Sequence, residues 1–228
     1  MKNQKITTMA ALLIASMGVA QAQIIISEVD PAGSATTPVA SGYAADWFEL
    51  KNIGVSAVDI TGWKMDDNSA AFANAVPIRG ITSIAAGQSV VFVEGNATGT
   101  TDATIDANFE NAWFGASVPT GFTIANYGGT GVGLSQTSDA VNIYNSTGTL
   151  QAGVTFGATT LSATLDNEAG LSGAISQTSA VGVNGAFTSA SGLEVGSPGD
   201  VAPVPEPTTL ALAGLGGLAA LVAVRRRK

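Results

Sequence analysis

The chain has 228 residues, 9 Lys and Arg against 17 Asp and Glu, no His, no Cys, and a formal net charge of −8. Without Cys there are no disulfides, thiol nucleophiles or thiolate metal sites, and without His the usual general base, the Ser-His-Asp triad and the common zinc sites are gone as well. Carboxylate and Lys chemistry remain, and the acidic balance repels phosphate backbones, which argues against nucleic acid as a partner.

Lys2 and Lys5 form a positive n-region, Met9 to Ala20 is a short apolar run, and Ala20-Gln21-Ala22 fits the small-x-small cleavage pattern. Residues 1–22 are therefore expected to be a signal peptide, with Gln23 opening the mature chain. Residues 23–200 follow as one domain, long enough to bury a real core. Between the two terminal segments the only cations are Lys51, Lys64 and Arg79, against sixteen acids. Such a surface suits cations, calcium included.

The domain predicts an all-β fold, a sandwich or barrel, because turn signals recur about every ten residues between short β-rich runs. Ile24 to Val29 is the first strand, ended by Asp30-Pro31. Trp47 to Lys51 is the second, with Phe48 and Leu50 on one face and Trp47, Glu49 and Lys51 on the other. Val58 to Met65 and Ile78 to Ile84 are further strand candidates. Ser89 to Val93 is almost continuously apolar and predicts a central strand. Thr104 to Phe114 breaks the rhythm: Phe109 and Trp113 at i, i+4 predict a short helix over one end of the sandwich, with Asp106 placed to cap its start. The Gly-rich stretch up to Val132 reads as a long loop. Strands are expected again at Val132 to Leu134, at Val141 to Tyr144 and from Leu150 to Phe156, with a small edge strand near Ser179 to Val183.

Residues 201–207 form a Pro-rich linker. A 17-residue uncharged run, 208–224, is followed by the basic cluster 225–228. At about 1.5 Å per residue the run spans roughly 25 Å, close to a hydrocarbon core, and the cations set its cytoplasmic end. A transmembrane helix is therefore expected there. Gly214 to Ala219 fits a dinucleotide-binding pattern, but it lacks the preceding strand and surrounding βαβ unit that such a motif requires. Small residues in a membrane helix account for it.

The order Pro205-Glu206-Pro207, apolar run, then Arg225-Arg226-Arg227-Lys228 resembles the bacterial PEP-CTERM sorting signal. That resemblance implies that an exosortase, a membrane-embedded cysteine peptidase, reads Pro205, Glu206 and Pro207 and removes the tail. It also implies a Gram-negative host that makes exopolysaccharide, with release of the protein to the cell surface or extracellular matrix. An ordinary membrane anchor would not call for Pro-Glu-Pro.

A second resemblance runs through the domain. It is carried by Ile26-Ser27-Glu28-Val29, by Asp46-Trp47-Phe48-Glu49-Leu50-Lys51-Asn52 and by Val58-Asp59-Ile60-Thr61-Gly62-Trp63-Lys64-Met65-Asp66-Asp67. Ser138 to Tyr144 and the turn Gly196-Ser197-Pro198-Gly199 continue it. Together they resemble a lamin tail domain. The likeness is strongest from Ile24 to Asp67 and thin from Ala158 to Val195. It implies an immunoglobulin-like β-sandwich. Taken with the sorting tail, it makes a non-catalytic binding or structural module the expected function, with exopolysaccharide or another matrix component as partner.

Three groups of residues are candidates for chemistry. Asp66, Asp67 and Asn68 with Asp30 offer oxygen ligands for calcium, the one candidate cofactor, which makes a calcium-dependent adhesin a further alternative, although the spacing is not that of an EF-hand; a hydrophilic Asx turn is the plainer reading of the first three. Glu28 and Glu49 could form a glycosidase pair at the right separation, which makes a polysaccharide hydrolase the alternative function; hydrogen bonding to neighbouring loops, or pairing of Glu49 with Lys51, is the plainer reading. Tyr43, Trp113 and Tyr127 lie outside the predicted strands and are the candidate sugar platform, whereas Trp47 and Trp63 are expected in or near the core.

Overall fold

A computed structural model of the protein describes residues 24–129 and 131–199. The expected signal peptide, linker, transmembrane segment and basic cluster lie outside the described residues, as do Pro205, Glu206, Pro207, Arg225, Arg226 and Arg227. The strands are β1 (Ile24–Asp30), β2 (Trp47–Asn52), β3 (Val58–Asp59), β4 (Lys64–Asp66), β5 (Val76–Arg79), β6 (Ser83–Ile84) and β7 (Ser89–Glu94). Helix α1 (Asp102–Phe114) comes next. Then follow β8 (Ile124–Tyr127), β9 (Asp139–Tyr144), β10 (Leu150–Phe156), β11 (Leu165–Asp166), β12 (Gly173–Ile175), β13 (Phe187–Thr188) and β14 (Val195–Gly196). The fold is all-β apart from α1.

Ten strands hydrogen-bond in the order β11-β1-β2-β7-β8-β5-β4-β9-β10-β12. Their pairings are antiparallel except β7–β8 and β10–β12. β5 pairs with β8 on one side and β4 on the other, so the sheet turns there and closes over a shared core. Ile26, Phe48, Leu50 and Phe92 from one half meet Met65, Ile143, Val154 and Phe156 from the other. Phe48 and Phe92 stack with ring centroids 5.3 Å apart.

A second apolar cluster lies on the opposite face of β2 and β7. There α1 lays Phe109, Ala112 and Trp113 against Trp47, Val91 and Val93. Trp47 meets Phe109 and Trp113 edge-on, with centroids 5.6 and 5.9 Å away, the aromatic geometry that ring quadrupoles favour. Burial on both faces explains why Ser89 to Val93 reads as an unbroken apolar run, and β7 is central as its sequence predicts.

Several expectations need correction. α1 covers the outer face of the sheet and begins at Asp102, not over one end from Thr104. Asp106 does not cap it: Thr101 is the N-cap residue, and Asp106 accepts a hydrogen bond from Asn126 Nδ2 at 2.7 Å. The stretch before Val132 contains β8, which pairs parallel with β7. Val132 and Leu134 are core residues of a loop, with no strand of their own. Val58 to Met65 splits into β3 and β4 at the Thr61-Gly62 turn, and Ile78 to Ile84 splits near Gly80 into β5 and β6. The late strands are β11 to β14, none of them at Ser179 to Val183.

Candidate functional site

The described residues concentrate their buried polar chemistry on the outer face of β1 and β2. A bulge puts it there. Ile24 and Ile26 point into the core, and simple alternation would send Glu28 after them. The β1–β2 register slips between Ile26 and Glu28, so Val29 takes the core position and Glu28 lies opposite Glu49 on the outer face. Asn167 holds the bulge: its backbone N–H donates to Ser27 O at 2.8 Å, and its side chain donates to Ile26 O at 2.6 Å.

Glu28 and Glu49 are each about 1% exposed, and both are spent on the chain's own backbone and hydroxyls. Glu28 Oε1 accepts from Ser197 N at 2.8 Å and from the Thr164 hydroxyl, while Oε2 accepts from Ser197 Oγ at 3.2 Å. Glu49 Oε1 accepts from Ser27 Oγ at 2.7 Å, and Oε2 accepts from Gly199 N at 2.6 Å. Burial, and then the neighbouring Glu49 charge, push the Glu28 carboxyl up to about 8; burial raises Glu49 to about 7, against the bonds from Gly199 and Ser27. The pair therefore clasps the closing turn, Gly196 to Gly199, onto β1 and β2. The turn fits only glycine at two places. A Cβ on Gly196 would stand 2.7 Å from Glu28 Oε1 and 2.9 Å from Trp113 Cη2, and Gly199 has φ +72° with Phe122 against it.

Beside the clasp, Tyr43 is the hub of a second buried network. Its hydroxyl donates to Glu194 Oε1 at 2.5 Å and accepts from Trp47 Nε1 at 2.9 Å and Trp113 Nε1 at 3.3 Å. Asp30 Oδ2 lies 3.3 Å from the same hydroxyl, and Asp30 Oδ1 accepts from Ala32 N. Burial, and then the Asp30 charge, raise the Glu194 carboxyl to about 9, and burial raises Asp30 as well. Glu194 Oε2 is buried with no hydrogen-bond partner.

The structure brings Glu28 to Glu49, and Tyr43 to Trp113 and Asp30, but it assembles neither the sugar platform nor the calcium group. Tyr43, Trp113 and Tyr127 are 4%, 1% and 0% exposed, so they do not form a surface platform. Trp113 faces the sheet from α1, Tyr127 lies tilted against Phe48 in the main core, and Tyr43 ties β1 to the Glu194 loop. Trp47 and Trp63 are core residues as expected. Asp30 belongs to the Tyr43 network, while Asp66, Asp67 and Asn68 form a turn. Asp66 Oδ2 accepts from Ser69 Oγ at 2.7 Å and Ala71 N at 2.8 Å; Asp67 Oδ1 accepts from Ser69 N. Asn68 N donates to Asp139. Among the described residues no group of three or more acids is placed to hold a metal ion. Lys51 pairs with Glu168 at 2.5 Å instead of with Glu49.

Sequence reasoning missed Thr164 and Glu194, which lie where periodicity is weakest, and it treated Ser197 and Gly199 only as a closing turn. Their partners stand more than 130 positions away in the chain, a separation no local pattern reports.

An all-β domain whose closing turn is fastened to its first two strands, followed directly by a Pro-Glu-Pro tail, defines a globular module carried on a sorting segment. Residues 19–158 match the Lamin Tail Domain family, and residues 203–228 match the PEP-CTERM protein-sorting motif. The chain belongs to the Lamin Tail Domain family and ends in that sorting motif, which supports export to the cell surface or beyond. No curated protein matches the chain.

Proposed function

We propose that this is a non-catalytic binding or structural module of the bacterial surface or extracellular matrix, an immunoglobulin-like sandwich delivered and processed through its C-terminal tail. The observation that carries the reading is the sorting motif at 203–228, placed immediately after a domain that closes at Gly199. In this reading residues 1–22 direct export, 208–224 hold the chain in the inner membrane, and an exosortase cuts near Pro205-Glu206-Pro207. Among the described residues no helix is long and apolar enough to cross a membrane, so anchoring would fall to 208–224.

The non-catalytic part draws its support from Glu28 and Glu49. A general acid or nucleophile must reach its substrate, and these carboxyls are enclosed by their own chain. A matrix partner, exopolysaccharide first, would then meet the exposed loops. Two measurements test the proposal. The intact mass of protein recovered from the host surface should lack 208–228, and retention of that segment would overturn the processing step. Pull-down of the purified chain by the host's own exopolysaccharide should retain it on the polymer without shortening the polymer. Depolymerisation would replace the module by a hydrolase.

A further inference from the structure

Phe114 at the end of α1, Phe122 in the α1–β8 loop and Phe187 in β13 line a groove of about 580 Å³, completed by Pro119, Pro198 and Gly199. The rings hold one another in place: Phe114 lies 4.7 Å from Phe122 and 5.9 Å from Phe187 between centroids. All three are only half-buried, so rigid aromatic surface faces the solvent.

The chain leaves the described fold in the wall of this groove. Gly199 is fixed by its bond to Glu49, and its Cα is so close to Phe122 that a Cβ there would stand 2.5 Å from the ring. The following residues are Asp200 and then Val201-Ala202-Pro203-Val204-Pro205, five uncharged residues with two prolines. Proline fixes φ and lowers the entropy lost on docking, and Pro-rich segments recognise aromatic-lined grooves for that reason. Tethering within a few residues of the groove raises the effective concentration of the segment there to about the millimolar range, so weak apolar contacts suffice.

We propose that this groove seats the chain's own Val201–Pro205 segment, so that Pro205-Glu206-Pro207 emerges at a fixed place on the domain surface beside α1 and β13. The inference goes beyond the sorting reading and does not depend on it, since docking needs no peptidase.

The test uses the full chain in detergent micelles with 13C-methyl-labelled valine. Val201 and Val204 are assigned by loss of signal in Val201→Ala and Val204→Ala. Methyl groups seated on the rings should resonate upfield of exposed Val55 and Val181. Phe187→Ala, and separately Phe122→Ala, should return them toward the exposed positions while core Val141 stays in place as the folding control. Val201 and Val204 signals that coincide with Val55 in the unsubstituted chain would overturn the proposal. Shifts that persist in both Phe variants would overturn the groove as their cause. Shifts that grow with protein concentration would assign the occupant to a second copy and overturn the intramolecular seat. Because Pro205, Glu206 and Pro207 are untouched, a failure here leaves the processing measurement intact.

Discussion

Phe48 and Glu49 are neighbours in β2, both shut away from solvent, and they face opposite environments. Phe48 enters a core made chiefly of apolar side chains from both halves of the sheet. Glu49 enters a flank where carboxyls, hydroxyls and backbone N–H groups are interleaved with the rings of Trp47, Phe109 and Trp113. The core is held by area removed from water and is indifferent to which apolar neighbour supplies it. The flank tolerates its acids because each has donors from its own chain and because burial keeps several of them protonated. Stability in the first region is a matter of volume; in the second it is a matter of hydrogen bonding to buried acids, and so of pH.

The comparison is most directly broken by truncation. Phe48→Ala should cost about 3–5 kcal/mol in denaturant unfolding, because it leaves a cavity in the shared core. Trp113→Ala should fall in the same range by removing a large ring and a donor to Tyr43. A cost below about 1 kcal/mol for Trp113→Ala would show that the flank frays independently of the core.

A smaller effect isolates the clasp. Gly196→Ala places a Cβ against Glu28 and Trp113 and should cost about 1–3 kcal/mol. Hydrogen exchange should quicken at the Ser197 and Gly199 amides while amides of β7 and β9 stay protected. Uniform loss of protection would mean that the clasp and the core open together.

The pH dependence sharpens the contrast further. Glu28 and Glu49 titrate near 4.5 when unfolded but near 8 and 7 when folded. Between those values the folded state binds more protons than the unfolded one, so stability is fully present below about 4.5 and falls as pH rises to about 8. Asp46, raised to about 7 by burial, adds in the same direction. Denaturation midpoints measured across this range should decline, and Glu28→Gln with Glu49→Gln should flatten the decline. A curve that rises with pH would remove the protonated clasp from the account.

The smallest expected effect concerns the Asp66–Asn68 turn. Asp67→Ala removes an exposed bond to Ser69 and should change stability by about 0.5 kcal/mol or less. Calcium should leave the melting temperature within about 1 °C, and a rise of several degrees that disappears in Asp66→Ala and Asp67→Ala would make this turn a binding site.

The strands that the sequence reveals best are those that alternate or run apolar without a break. β1, β2, β7, β9 and β10 all lie where their patterns place them, and outside the β1 bulge local period and core burial agree there. β8 was hidden by its Gly-rich surroundings, and it exists because β7 offers a parallel edge beside it. Tyr43, Trp113 and Tyr127 look like surface residues only when strand boundaries are the guide. α1 and the parallel pairing of β8 bury two of them, and the Glu194 loop buries the third.

What the sequence by itself determined is the all-β class, the family and the sorting tail, since each rests on residue type and short-range order. Only the tertiary structure decided the fate of the acids. One extra residue at Ser27 turns Glu28 from the core to the outer face, and the turn that meets it lies 169 positions further along the chain. Register and long-range contact arise from packing over the whole sheet, and neither is written in the neighbourhood of any one residue.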